Sequence, residues 1–220
     1  MKKFLIFTLV MIAQLQAAKD HEIWWEKSID TGRVSLNEFR DWLGDTDDAS
    51  RVAMRRHVAK MGYSSLLDAA AGVCTDYWGL KKNGFMIDYL GVDITPKLVA
   101  FNKKMNVPIV EGSIEALPAS DKSFDICYAR HILEHLDSYE RALRELIRVA
   151  KKEVLVVFFL RPSQNKTTQV SPSVDNGYLL YNNIYSEPEI EAFAKAQPRV
   201  LRVQWEEVNA RDSILHIYLR

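Results

Sequence analysis

The stretch EVLVVFFL (153–160) is apolar at every position after its first residue. Eight residues is strand length, and a strand with no polar side must be covered on both faces, as in a parallel sheet flanked by helices. The chain from residue 64 onward fits that demand. SSLLDAA (64–70), YLGVDI (89–94), VPIV (107–110) and SFDICYA (123–129) read as four earlier strands. Helical patterns separate them. Thr95 stands as a helix cap with Pro96 at the first position and Leu98, Phe101 and Met105 on one face. Leu136, Tyr139, Leu143, Ile147 and Ala150 recur at helical spacing, with Arg141, Arg144, Glu145 and Arg148 opposite. Two last strands, near 199–205 and 213–219, are joined by a linker short enough for a hairpin. The pattern predicts an α/β fold: a doubly wound, mostly parallel seven-stranded sheet with a C-terminal antiparallel hairpin. Ligands of such sheets sit beyond the C-terminal ends of the strands.

The remaining segments carry weaker signals. Residues 161–185 are polar and aperiodic and are read as a long loop, whose Tyr178, Tyr181, Asn182 and Tyr185 could cover a ligand or simply pack. Ser186 and Glu189 have capping-box spacing at the start of a helix that turns Ile190 and Phe193 inward. Residues 19–62 read as N-terminal helices bearing Trp24, Trp25, Phe39 and Trp42, interrupted at Gly44. The second of them, about 48–61, carries Arg51, Arg55, Arg56 and Lys60, expected on a solvated face.

Residues 1–18 differ from everything after them. Lys2 and Lys3 precede FLIFTLVMIA (4–13), and Ala17 and Ala18 follow, the composition of a secretory signal or an anchor. The expected domains are therefore 1–18 as that segment, 19–62 as N-terminal helices and 63–220 as the α/β domain. The expected location is a membrane-associated protein with a cytosolic domain. Export through a cleaved signal, or a cytoplasmic protein starting at Met11, are the alternatives.

Lys+Arg and Asp+Glu both number 29, which argues against a general nucleic-acid binder. The two cysteines, Cys74 and Cys127, form no disulfide framework, and no His/Cys grouping has zinc spacing, so no metal site is expected.

The site should lie after the first strand, in LLDAAAGVC (66–74). Small residues from Ala69 to Gly72 let the backbone turn sharply beside a ligand. Asp68 at the strand end is placed to attract an ammonium group. Asp93, ending the second strand, is placed to bind two ribose hydroxyls.

These pieces in this order, with EGSIEALPASDKSFDICYARHILEHL (111–136), resemble the class I S-adenosylmethionine (SAM) dependent methyltransferases. The resemblance is greatest to the methyltransferase type 11 group, which includes quinone-biosynthesis enzymes. It implies a Rossmann-like methyltransferase fold, SAM as cofactor and an unidentified, small-molecule acceptor. By that resemblance Asp68, Ala70 and Gly72 surround the methionine part of SAM. Asp93, with Ile94 beside it, holds the ribose, and Ser113 and Ile114 flank the adenine. Arg130 is placed with the cofactor-binding residues and is also suited to an anionic acceptor. His131, after the fourth strand, is the candidate base for a hydroxyl acceptor, ahead of His135. Ala70 and Cys74 replace two glycines of the family loop, the latter adding bulk beside the cofactor, and Ser113 replaces an acid. A non-catalytic binding protein on the same fold is the first alternative. A nucleotide-dependent oxidoreductase is the second, against which no GxGxxG follows the first strand.

Overall fold

A computed structural model describes residue 20 and residues 23–38, 45–164 and 167–220. The signal-like segment 1–18 lies outside the described residues, as do Phe39, Trp42 and Gly44. Among the described residues no helix is long and apolar enough to cross a membrane.

In chain order the domain comprises α1 (Ala49–Met61), β1 (Ser65–Ala69), α2 (Thr75–Lys82), β2 (Asp88–Asp93), α3 (Pro96–Lys104), β3 (Ile109–Glu111) and β4 (Phe124–Arg130). There follow a single 3₁₀ turn (Leu133–His135), α4 (Glu140–Val149), β5 (Ala150–Phe158), β6 (Pro172–Asp175), β7 (Tyr178–Tyr181), α5 (Glu187–Lys195), β8 (Val200–Glu207) and β9 (Ser213–Leu219). The seven-stranded sheet has the order β3-β2-β1-β4-β5-β9-β8. Its first five strands are parallel, and β9 runs antiparallel between β5 and β8. This is the doubly wound sheet and C-terminal hairpin expected from the alternation of apolar runs.

The apolar run in β5 explains its central place. Val154 to Phe158 are completely buried, with one core on each face of the sheet. Val154, Val156 and Phe158 pack with Leu143, Leu146 and Tyr185, whereas Leu155 and Val157 pack with Met54, Val58 and Leu80. Burying side chains of this size contributes roughly 1.5–3 kcal/mol each, so β5 staples the two layers together.

Four local readings need correction. Residues 161–185 are not one loop, because β6 and β7 pair as a small antiparallel hairpin within them. Thr95 occupies the cap position of α3 but makes no side-chain cap bond. Instead Glu26, from the N-terminal helical segment 23–30, accepts the backbone N–H of Lys97 at 2.9 Å. Charge from a distant carboxylate thus serves the positive helix end. The helix after β4 begins only at Glu140, leaving Leu136 ahead of it and His135 in the 3₁₀ turn. Finally, the basic face of α1 is divided: Arg56 and Lys60 are exposed, but Arg51 and Arg55 are buried. Ser186 does cap α5 through the N–H of Glu189, while the Glu189 carboxylate turns to Thr168 rather than back to the cap.

Candidate active site

Strand order reverses between β1 and β4, and there a crevice must open beyond the strand ends. A cavity of about 410 Å³ occupies that position. One side is built from the ends of β1 and β2 and the start of α2; the other comes from the segments after β4 and β5 and the β8–β9 loop.

The first side is acidic. Asp68, Asp76 and Asp93 all line it, accompanied by Arg51, which pairs with Asp76. Asp68 accepts the Tyr89 hydroxyl at 2.6 Å. Its carboxyl is pushed up to about 8 by burial, with Asp76 adding repulsion. Burial also raises Asp93, against the pull of the Thr95 and Gly72 N–H groups that it accepts.

Between β1 and α2 the backbone makes three left-handed excursions, at Ala70 (φ 60°), Gly72 (φ 56°) and Cys74 (φ 54°). These are the three positions at which the resembling family loop has glycine. Here the loop keeps its glycine-like path with alanine and cysteine at two of them, at a cost of roughly 1–2 kcal/mol each. A Cβ on Gly72 would meet no protein atom within 4 Å, so the space beside it is open. The added bulk expected of Cys74 does not reach the cavity. Its side chain is buried in the core, and a Cβ on Gly91 would lie 3.2 Å from its sulfur. Asn102 secures the loop from α3 by donating to the Gly72 carbonyl at 2.7 Å.

The second side carries Arg130, His131, His135, Phe159 and Arg211. Arg130 is held by Asp48 at 3.1 Å and by the Ser50 hydroxyl at 3.2 Å. His131 has φ 54°, a strained conformation for a side chain of this size and of a kind that concentrates at functional sites. Its Nε2 lies 3.3 Å from Oδ1 of Asp212, a carboxylate with no exposed surface. That is an ion-pair distance whose alignment does not complete a hydrogen bond. Burial lowers the His131 pKa despite the opposing pull of Asp212, keeping the imidazole neutral and able to take a proton. The ring of Phe159 is 5.3 Å from those of both His131 and His135. His135 donates from Nδ1 to the Tyr181 carbonyl at 2.9 Å, tying the cavity wall to β7.

Asp68, Ala70, Gly72, Asp93, Ile94, Arg130 and His131 thus stand around one cavity. Ser113 and Ile114 do not line it. The Ser113 hydroxyl accepts the N–H of Glu115 in a local turn, and Ile114 belongs to the core. Tyr178, Tyr181, Asn182 and Tyr185 are absent from the wall too; Tyr185 is buried, donating to the Leu133 carbonyl at 2.8 Å.

Four contributors had no sequence signal of their own. Arg51 and Asp76 form a buried pair across α1 and α2. Asp212 comes from the β8–β9 loop. Trp25 reaches the wall from segment 23–30, which is fastened at both ends. Lys97 pairs with Glu26 and Asp30, while Asp175 of β6 accepts Trp24 Nε1 at 2.6 Å and pairs with Arg33 at 2.8 Å. Glu134 was also missed. It is fully buried and accepts the N–H of Phe159 at 2.7 Å, fixing the turn after β5.

Residues 67–158 match the family model of the methyltransferase domain. A demethylmenaquinone methyltransferase of Corynebacterium efficiens is 34% identical over 86 residues, 39% of this chain and 36% of that protein. A malonyl-[acyl-carrier protein] O-methyltransferase of Pectobacterium atrosepticum is 31% identical over 97 residues, 42% of this chain and 37% of that protein. The chain therefore spans little more than a third of the length of these curated relatives. Among solved structures, the Burkholderia thailandensis 1,6-didemethyltoxoflavin-N1-methyltransferase, holding S-adenosylhomocysteine, shares the fold. The TM-score is 0.64 at 17% identity over 94% of this chain and 90% of that one. The matched segment carries β1 through β5 and both acids of the loop region, Asp68 and Asp93, and over that segment the chain is similar to the methyltransferase domain family, on a fold shared with SAM-dependent methyltransferases of known structure.

Proposed function

We propose that the protein binds SAM in this cavity and transfers its methyl group to a small-molecule acceptor. The observation that carries the reading is the acidic side. Asp68, Asp76 and Asp93 have Arg51 as their one cation, while Arg130 and Arg211 across the cavity are paired with Asp48 and Asp212, so the acidic side suits a ligand that brings positive charge, and SAM carries an ammonium and a sulfonium. When bound, SAM supplies an electrophilic methyl group.

The chain's own residues then have distinct tasks. Asp68 meets the ammonium. Asp93 already accepts two backbone N–H groups, yet a carboxylate has about four acceptor positions, leaving capacity for ribose hydroxyls. The open space at Gly72 admits the ligand close to the backbone. Trp25 and Phe159 help to exclude water and hold the acceptor in line, which is the chief requirement of methyl transfer. For a hydroxyl acceptor, Nδ1 of His131 takes the proton and Asp212 stabilises the resulting imidazolium; catalytic hydrogen bonds that are loose in the free enzyme commonly tighten with ligand bound. The relatives' names include an O-methyltransferase and an N-methyltransferase, so the acceptor atom is not carried over from them.

Calorimetry with SAM and S-adenosylhomocysteine tests the proposal. One site per chain for each is expected, and no binding of either would refute it. With this function we propose a cytosolic placement of the domain, where SAM is made. Protease accessibility in intact cells tests that placement.

A further inference from the structure

His57 of α1, Glu153 of β5 and His216 of β9 are far apart in sequence and meet on the α1 side of the sheet. None of them lines the cavity described above. One ligand atom from each, a ring nitrogen of either histidine and a Glu153 carboxylate oxygen, lie within 4.8 Å of one another. Glu153 Oε2 is 2.7 Å from His57 Nε2, and Oε1 is 2.8 Å from His216 Nδ1. The glutamate side chain has no exposed surface, and that of His216 has 3%. That of His57 has 15%, which leaves a way in from solvent.

We propose that His57, Glu153 and His216 form a binding site for one divalent transition-metal ion of the zinc type. Two imidazole nitrogens with one carboxylate oxygen are a zinc donor set with an open fourth position. An all-oxygen ion such as Mg²⁺ or Ca²⁺ is disfavoured by the two nitrogens. The fourth position falls to water or to the Tyr63 hydroxyl, which donates to Glu153 Oε2 at 2.6 Å.

The surroundings supply what a metal site needs beyond its ligands. Nε2 of His216 faces Glu206 Oε2 at 3.2 Å. A carboxylate behind the outer nitrogen of a ligating histidine fixes the tautomer that turns the other lone pair inward. With neutral imidazoles the two glutamates give the cluster a charge of two minus, which a dication balances. The nearby cations are turned onto rings: Lys152 lies 5.7 Å from the Tyr63 centroid and Arg202 4.0 Å from that of Tyr218. The present N···O contacts have hydrogen-bond length. Tetrahedral zinc spreads those two contacts to about 3.3 Å and draws the wider-set ligand atoms, which lie within 4.8 Å of one another, in towards the same separation. The ion would join α1, whose Arg51 lines the cavity, to the antiparallel edge of the sheet, and so act on stability apart from chemistry.

The test uses the untagged full chain, stripped with a chelator and titrated with Zn²⁺ and separately with Co²⁺. One ion per chain, tetrahedral-type visible bands for Co²⁺, proton release on binding and a higher melting temperature are expected. His57→Gln and His216→Gln should each weaken Zn²⁺ binding at least tenfold. Glu153 is too deeply buried for its variant to be decisive, so His57→Gln, monitored by circular dichroism, is the primary one. No stoichiometric binding would overturn the proposal and leave the cluster a hydrogen-bonded network. Undiminished binding by folded His57→Gln would overturn it as well, placing the ion elsewhere, for example at His131 and His135.

Discussion

Asp93 accepts the backbone N–H of Gly72 through Oδ2 at 2.8 Å and that of Thr95 through Oδ1 at 2.9 Å. The residue suited to bind ribose therefore also locks the loop that approaches the ligand. Asp93→Ala should lower SAM affinity at least tenfold, the effect of losing charge-assisted hydrogen bonds. It should also leave two backbone donors unpaired and cost about 1–3 kcal/mol of stability, several degrees in melting temperature. Calorimetry and thermal unfolding on the same sample separate the two effects. Unchanged SAM affinity in the folded variant would remove Asp93 from the site.

The left-handed loop makes two opposite predictions. Gly72→Val places a β-branched residue at φ 56° and fills the open space beside the cavity, so SAM binding should be lost while helix content is kept. At Ala70 a side chain already bears that strain. Ala70→Gly relieves about 1–2 kcal/mol but returns roughly 0.5–1 kcal/mol of unfolded-state entropy. A net gain of about 0–1.5 kcal/mol follows, read as an unchanged or raised melting temperature; a clear fall would show that the Ala70 methyl is needed for packing.

The same loop shows what the sequence could and could not reveal. Strands β1 to β5 were legible because each is a short apolar run bounded by helical periodicity, and β5 by its lack of any polar side. The acids Asp68 and Asp93 were legible because strand ends have fixed places in a parallel sheet. Cys74 was misjudged, because adjacency in sequence says nothing of which way a side chain turns at positive φ. Arg51 reads as a surface charge and Asp76 stands in no pattern, because the pair is buried only once α1 and α2 come together. Asp212, Trp25 and the cluster of His57, Glu153 and His216 depend on tertiary approach, which no local spacing encodes. The β6–β7 hairpin has no legible signal because its strands, PSVD and YLLY, are four residues each and neither alternates polar with apolar side chains long enough to show a period.

His131 and Asp212 should act together on a hydroxyl acceptor. His131→Ala should reduce kcat by about 10²–10⁴ with SAM affinity retained. Asp212→Asn should reduce kcat as well and shift the pH–rate profile, because the carboxylate no longer stabilises the imidazolium. His135 is tied to the Tyr181 carbonyl and should affect KM more than kcat. Steady-state kinetics across pH distinguish these outcomes, and full activity in His131→Ala would dismiss the base.

Proton linkage at Asp68 supplies a test that needs no acceptor. Burial, reinforced by Asp76, raises this carboxyl from 3.8 to about 8, so in the ligand-free protein it holds a proton at neutral pH. The folded state thus binds more protons than the unfolded chain between about pH 4 and 8, and this contribution to stability falls as pH rises through that window. An ammonium group placed beside Asp68 favours the ionised form and expels the proton. SAM binding should therefore release a proton below about pH 8, and affinity should rise with pH up to that value. Calorimetry in buffers of different ionisation enthalpy reads the released proton directly. In Asp68→Asn the release should vanish and the affinity should lose most of its pH dependence over this range. Proton release undiminished in that variant would assign the linkage to another group.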